Sequence, residues 1–266
     1  MDLNDKVIIV TGAAQGLGEA SARSFAARGA KVVLADIRQD AIEAHAKLLR
    51  DEGLRAIALP MDVTSSASIE ATVARTLKKW QRIDGLMHSA MSAEYINNND
   101  RRITELDEAV WDRVIDLVLT GTYRVVKAVG NVMKDQGKGS IVLTATVDAV
   151  IAQAGIDAYS AAKGGVVSLT RSAAAGLSPE GVRLNAICPS FITTPDQAEF
   201  LEVPEKRKVF DDMHLMDIST PEDIADYAAF LLSDQARIVT GAIHMVDSGY
   251  TCFKGKLALR EGIYTN

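Results

Sequence analysis

Thr11-Gly12-Ala13-Ala14-Gln15-Gly16-Leu17-Gly18 follows an apolar run at residues 6–10 and opens a stretch of helical spacing at residues 16–28. A strand running through a glycine turn into a helix leaves backbone N–H groups free at the positive end of the helix dipole, where phosphate oxygens bind well. Gly12 lets the chain turn tightly. Gly16 removes a side chain where backbone must approach a pyrophosphate, and Gly18 lets the helix pack closely on the strand. Asp36 stands 18 residues after Gly18, at the end of the next apolar run. A carboxylate there can accept hydrogen bonds from both hydroxyls of an adenosine ribose and would repel a 2′-phosphate. NAD is therefore expected over NADP. Arg38 argues the other way, because a nearby Arg can hold a 2′-phosphate, but the glycine turn itself carries Gln15 rather than a basic residue.

Working outward, short β-branched runs recur at residues 6–10, 31–35, 56–59, 85–88, 140–143, 183–187 and 243–246, separated by helical segments. Strands alternating with helices form right-handed βαβ crossovers. The expected fold is α/β: a single Rossmann-type domain over residues 1–266, with a doubly wound, seven-stranded parallel sheet and helices on both faces. Long helices are expected over 107–133 and 157–177, with Gly29 ending the first helix. Thr220 is expected to cap another, with Pro221 at its first position. Residues 192–219 read as a helical insertion at the carboxyl edge of the sheet, suited to a substrate lid. Residues 252–266 read as a C-terminal tail whose apolar side chains suit docking on a neighbouring subunit.

Hydrophobic residues are 48% and charged residues 24% of the 266, an ordinary globular composition that excludes a disordered chain. The net charge of −6 argues against a nucleic-acid partner. Cys188 and Cys252 are too few for a disulfide framework, and the scattered histidines share no metal-ligand spacing, so no metal is expected. The acidic start is no signal peptide and no apolar run is long enough to span a membrane, so a cytoplasmic protein without membrane contact is expected.

Tyr159-Ser160-Ala161-Ala162-Lys163 places a phenol and an ammonium on one helix face, where the ammonium is expected to lower the phenol pKa and prepare it for proton exchange with an alcohol or carbonyl. With the glycine turn and Asp36, this pattern resembles the short-chain dehydrogenase/reductase family from about residue 6 to residue 250. Asp62-Val63 resembles the family's adenine-contacting pair, and 185–190 its strand-six motif, here ending Pro189-Ser190. Ile192-Thr193-Thr194-Pro195 resembles the stretch that reaches the nicotinamide carboxamide, and Val239-Thr240-Gly241 with Asp247-Ser248-Gly249 the C-terminal strand signature.

The resemblance implies roles. Tyr159 is expected as general acid/base, Lys163 as holder of the nicotinamide ribose, and Thr146, 13 residues before Tyr159, in place of the family's substrate-orienting Ser. The implied cofactor contacts are Gly12, Gln15, Gly16, Leu17, Gly18, Asp36, Asp62, Val63, Ser89, Ala90, Tyr159, Lys163, Pro189, Ile192 and Thr194. Two departures matter. The family's Asn-Asn-Ala-Gly reads His88-Ser89-Ala90-Met91, and Met91 is expected to crowd the ribose or the substrate mouth. A His-Ser pair here resembles some divergent enoyl reductases of the same superfamily, although their Tyr–Lys spacing is longer. The family's helix-four Asn, which holds a relay water, aligns with Val118, whose side chain cannot hydrogen-bond.

These readings lead to an NAD-dependent oxidoreductase that interconverts a secondary alcohol and a ketone on a small or medium organic substrate. The alternative is a catalytically weak NAD-binding sensor or structural protein. A lyase on the same fold is disfavoured, since such proteins lose the dinucleotide glycines. Asp148 and Asp157 lie near the expected substrate side but read more readily as solvated loop acids. Small residues Ala128, Gly130, Ala173 and Ala174 are placed on outer helix faces, which suggests a homotetramer or homodimer.

Overall fold

The structure, a computed structural model, describes residues 1–194 and 201–252. Its seven strands are β1 (Val7–Thr11), β2 (Lys31–Asp36), β3 (Arg55–Pro60), β4 (Gly85–His88), β5 (Gly139–Thr144), β6 (Val182–Pro189) and β7 (Ile243–Val246). They form one sheet in the order β3-β2-β1-β4-β5-β6-β7, and every pairing is parallel. Period-two alternation divides the strand residues between two cores. Ile8, Val10, Val32 and Leu34 face one, with Phe25 and Leu232; Ile9, Val33 and Ala35 face the other, with Val125, Val129 and Val166. Both faces are therefore covered, which is why the strands read as continuous apolar runs.

The helices are α1 (Gly16–Ala27), α2 (Gln39–Asp51), α3 (Ser66–Trp80), α4 (Ala93–Asn99), α5 (Glu108–Val114), α6 (Gly121–Gln136), α7 (Asp157–Leu177), α8 (Pro204–Met213) and α9 (Pro221–Leu232). α1 stops where expected: Gly29 has φ +88, and a Cβ there would stand 2.9 Å from Asn4 Oδ1. Thr220 and Asp223 form a reciprocal capping box on α9. The long helix expected over 107–133 runs as unbroken helical backbone from 108 to 136, but not as α-helix throughout. A π-helical turn, Ile115–Thr120, separates α5 from α6 and resets the face each presents.

The strand order reverses between β1 and β4, and open α/β sheets bind ligands at the carboxyl ends of strands flanking such a switch point. The insertion leaves the body at Ile192 and returns at Ser219, which pair directly; Thr193 N–H donates to Ser219 O at 3.0 Å. It carries α8. The tail from residue 253 onward and residues 195–200 lie outside the described residues. One expected outer position needs correction: Ala174 is 3% exposed within the second core, whereas Gly130, beside Leu177, lines a groove between α6 and α7.

Candidate active site

The glycine turn owes its shape to what a Cβ would strike. A Cβ on Gly18 would lie 2.0 Å from Gly12 O, so only glycine lets α1 rise this close to the strand exit. Gly12 has φ +69, and its Cβ would meet the backbone of Ser89 and Ala90 at 3.0 Å. The turn and the β4 exit thus touch backbone to backbone. Gly16 has φ +55 and faces Thr194 Cγ2, 3.5 Å from where its Cβ would stand. Gln15 caps α1 without a side-chain hydrogen bond to the helix N–H groups, which leaves them for an anionic ligand. Leu17 instead packs into the first core.

Asp36 is fixed by backbone donors. Ala14 N–H in the glycine turn donates to Oδ2 at 3.2 Å, and Arg38 N–H donates to Oδ1 at 2.9 Å. The Arg38 side chain crosses above it, with Nε 3.6 Å from Asp36 Oδ1 and Nη1 donating to Gln15 Oε1 at 2.7 Å. Asp62 lies on the next loop, its carboxylate held below the usual range by the hydroxyl and backbone N–H of Thr64. Val63 is buried, close under Gly121. The glycine turn, Asp36 and the Asp62–Val63 pair thus follow the carboxyl ends of β1, β2 and β3.

The β4 exit is wired differently from the expectation. His88 is buried, and its hydrogen-bond chain determines its tautomer. Ser89 N–H donates to Thr11 Oγ1 at 3.2 Å, and because the neutral ring carries its proton on Nε2, the Thr11 hydroxyl donates to His88 Nδ1 at 2.8 Å. On the other side His88 Nε2 donates to Thr122 Oγ1 at 3.0 Å, and that hydroxyl donates to Val118 O at 2.6 Å. Burial, helped by the Lys163 charge, pushes the imidazole pKa down to about 3, so the ring is neutral. Val118 packs its side chain among Ile96, Val114, Ala158 and Ala162. The polar link between β4 and the π-helical turn therefore runs through His88 and Thr122. Met91 is 36% exposed, so its side chain is not driven into the fold.

Thr146 ends the extension of β5, and Tyr159 and Lys163 project from α7. Lys163 is 3% exposed, donates from Nζ to Thr144 O at 2.6 Å, and stands 5.7 Å from the centroid of the Tyr159 ring. Burial lowers its pKa to about 8, which leaves it charged at pH 7. Thr144 Oγ1 also shares a hydrogen bond with Ser89 Oγ at 2.8 Å, which ties the β4 and β5 exits together. The expected lowering of the phenol pKa is not found. Burial pushes the Tyr159 phenol well up, Asp148 adds to this, and the Thr146 side chain offsets part of it. The ammonium is engaged by the Thr144 carbonyl instead. Cys188, beneath Lys163 on β6, is buried and its thiol is raised to about 11. Pro189 closes that strand, and Ile192 and Thr194 follow toward the glycine turn.

Two acids behave differently from a solvated loop carboxylate. Asp157 Oδ2 accepts Ile103 N–H at 2.7 Å and so anchors the loop before α5. Asp148 accepts the Thr146 hydroxyl proton at 2.8 Å and lies within the site. A third acid was missed by the motif reading. Asp100 is 3% exposed and receives Ala158 N–H at 3.2 Å and Tyr159 N–H at 2.9 Å. It serves the first turn of α7 from 58 residues away. The only sequence signal was an acid closing a polar Asn run, which does not reveal a distant cap. Among the described residues, no group of three or more His, Cys, Asp or Glu side chains is placed to hold a metal, and no helix is long and apolar enough to cross a membrane.

A family profile described as enoyl-(acyl carrier protein) reductase matches residues 12–251. The chain is 39% identical over 247 residues to a cis-4-hydroxycyclohexanecarboxylate dehydrogenase of Sinomonas cyclohexanicum, covering 93% of this chain and 97% of that protein. It is 35% identical over 254 residues to an NAD-dependent glycerol dehydrogenase of Listeria innocua, covering 94% and 95%. A solved short-chain type dehydrogenase/reductase from Mycobacterium ulcerans superposes with a TM-score of 0.90 at 28% identity, covering 98% and 95% of the two chains. The chain belongs to the short-chain dehydrogenase/reductase family and is an oxidoreductase of CH–OH groups that uses a nicotinamide cofactor.

Proposed function

We propose that this protein interconverts a secondary alcohol and a ketone on a small or medium organic molecule, with NAD as cofactor and Tyr159 as the general acid/base. One observation carries the reading: the Lys163 ammonium is buried beside the Tyr159 ring, and the Thr146 hydroxyl acts on the same phenol. Bound nicotinamide supplies the hydride acceptor for oxidation or the donor for reduction. Tyr159 takes the hydroxyl proton of the alcohol or returns it to the ketone oxygen. Thr146 orients that oxygen, and Lys163 holds the nicotinamide ribose while keeping positive charge near the phenol.

Support for NAD comes from Asp36. Ala14 and Arg38 N–H groups aim its carboxylate across the adenosine end of the cofactor site, where a ribose diol finds an acceptor and a 2′-phosphate meets repulsion. Arg38 spends its guanidinium on Gln15 and Asp36. The remaining cofactor contacts are Gly12, Gly16, Gly18 and the Leu17 backbone at the pyrophosphate, Asp62 and Val63 at the adenine, and Ser89, Ala90, Pro189, Ile192 and Thr194 toward the nicotinamide. Residues 192–219 act as the substrate lid. The working form is a cytoplasmic homotetramer or homodimer, supported by an apolar groove between α6 and α7 lined by Tyr123, Val126, Leu169, Ala173 and Leu177. A weak NAD-binding sensor is the second reading, and it draws on Val118, which cannot hold a relay water with its side chain.

The test is fluorescence titration with NADH and NADPH, followed by a panel of secondary alcohols with the preferred cofactor. Tighter NADH binding with turnover supports the reading. Binding without turnover on polyols, sugars, steroids and hydroxy acids favours the sensor. Tighter NADPH binding overturns the Asp36 argument.

A further inference from the structure

Asp148 occupies an unusual position for a carboxylate. It is half-buried, and Oδ2 accepts the hydroxyl proton of Thr146 at 2.8 Å, while Thr146 also acts on the Tyr159 phenol. Its backbone N–H also donates to Thr146 Oγ1 at 3.3 Å. Burial raises the Asp148 pKa, its charge is felt at Tyr159 and Tyr250, and no cation among the described residues offsets it. Asp148 therefore borders the space in which the reacting oxygen must sit.

This geometry creates a competition. A hydroxyl has one proton to donate. While Thr146 gives its proton to Asp148, it cannot give it to the substrate oxygen that it is meant to orient. A half-buried carboxylate gains most from a donor that replaces lost water. A ligand that brings its own donor to Asp148 would release the Thr146 proton toward the reacting oxygen. The Thr146 and Asp148 oxygens are one hydrogen bond apart, a spacing that a gauche pair of vicinal heteroatoms on one substrate can match.

Resting on the alcohol-dehydrogenase reading above, we propose that Asp148 selects substrates carrying a hydrogen-bond donor, a hydroxyl or ammonium group, on the carbon next to the reacting carbinol. The substrate donor binds Asp148 and frees Thr146 to donate to the carbinol oxygen. A simple alcohol lacks that release, and a substrate with a carboxylate at this place meets like charge. The site thus favours vicinal diols or amino alcohols over monools and 2-hydroxy acids.

The experiment compares kcat/KM with NAD for trans-cyclohexane-1,2-diol, trans-2-aminocyclohexanol and cyclohexanol, in the parent, Asp148→Asn and Asp148→Ala. The readout is the ratio of donor-bearing substrate to cyclohexanol, which cancels any general loss through Thr146. The parent is expected to prefer at least one donor-bearing substrate by about tenfold or more, a difference of about one charged hydrogen bond. Asp148→Ala should bring that ratio to near one. Asp148→Asn keeps an acceptor oxygen but no charge, so the ratio is expected to fall further for the amino alcohol than for the diol. Parent turnover with the same ratio in all three proteins overturns the proposal and leaves the dehydrogenase reading standing. A parent that binds NADH but oxidises none of the three, nor any alcohol of the wider panel, overturns both.

Discussion

The glycine turn after β1 and the side chains around the β4 and β5 exits, here the cradle and the wall, hold their shapes by different physics. At the cradle, backbone lies against backbone. A Cβ at Gly18 would stand 2.0 Å from a carbonyl oxygen, and a Cβ at Gly12 would press on Ser89 and Ala90. Such a site tolerates almost no exchange of residue type. The wall is a set of side-chain hydrogen bonds: Thr11 to His88 to Thr122 to the Val118 carbonyl, Ser89 to Thr144, Thr146 to Asp148. A network of this kind can be rewired, with one polar partner exchanged for another on a neighbouring element, provided each buried group stays paired. The cradle is fixed by close backbone approach, and the wall by polar partners that can be exchanged.

Substitutions should separate the two regions. The largest effect is expected at Gly18→Ala, where the clash with Gly12 O forces α1 away from the turn; NADH affinity should fall by about 100-fold or more, in line with a cost of about 3 kcal/mol for overpacking. Binding calorimetry checks this, and unchanged affinity would mean the cradle is not where the cofactor sits. Asp36→Ala should weaken NADH by about tenfold, the loss of a charged hydrogen bond, and narrow the gap to NADPH. A parent and mutant with the same cofactor preference would break the specificity argument.

On the wall, Asp100→Ala strips the buried Ala158 and Tyr159 N–H groups of their acceptor. Thermal denaturation should show a loss of about 1–2 kcal/mol, the scale of a helix cap, with kcat reduced because Tyr159 sits on the freed turn. Asp100→Asn should retain most of both. The effect that is smallest at neutral pH concerns His88. Its folded pKa of about 3 lies below the ordinary 6.5, so between those values the unfolded chain binds a proton that the folded chain refuses. Stability therefore rises with pH across that window, by at most about 1.4 kcal/mol per pH unit from this group. His88→Asn should flatten the slope. A parent whose denaturation midpoint is constant from pH 7 to 4 would show that the ring is not held neutral.

The same contrast explains which parts were legible in the sequence. Strands at 85–88 and 243–246 and α7 at Asp157–Leu177 coincide with the periodicity reading, because apolar runs and an Ala-rich repeat are local properties. Gly12, Gly16 and Gly18 were legible because only glycine satisfies the turn. The π-helical turn at Ile115–Thr120 was not, since Val114, Leu117 and Val118 continue an apolar helical spacing while the change of helix type depends on packing against distant residues. Asp100 was invisible because a cap supplied from 58 residues away has no local signature. The Tyr159 phenol shows the limit of a spacing argument. Four residues place Lys163 beside it, but burial outweighs the ammonium. Asp148 and Asp157, equivalent as loop acids in the sequence, part company in the structure: one anchors a loop and the other touches the catalytic threonine.

The most direct test of the central claim is a paired measurement on Tyr159→Phe: NADH affinity by calorimetry, and NAD-dependent oxidation of the best secondary alcohol found for the parent. Loss of the phenolic hydroxyl alone should leave affinity within about threefold and reduce turnover by about 1,000-fold or more, the scale of general acid–base catalysis together with lost orientation. Turnover equal to that of the parent would contradict the assignment of the proton to Tyr159.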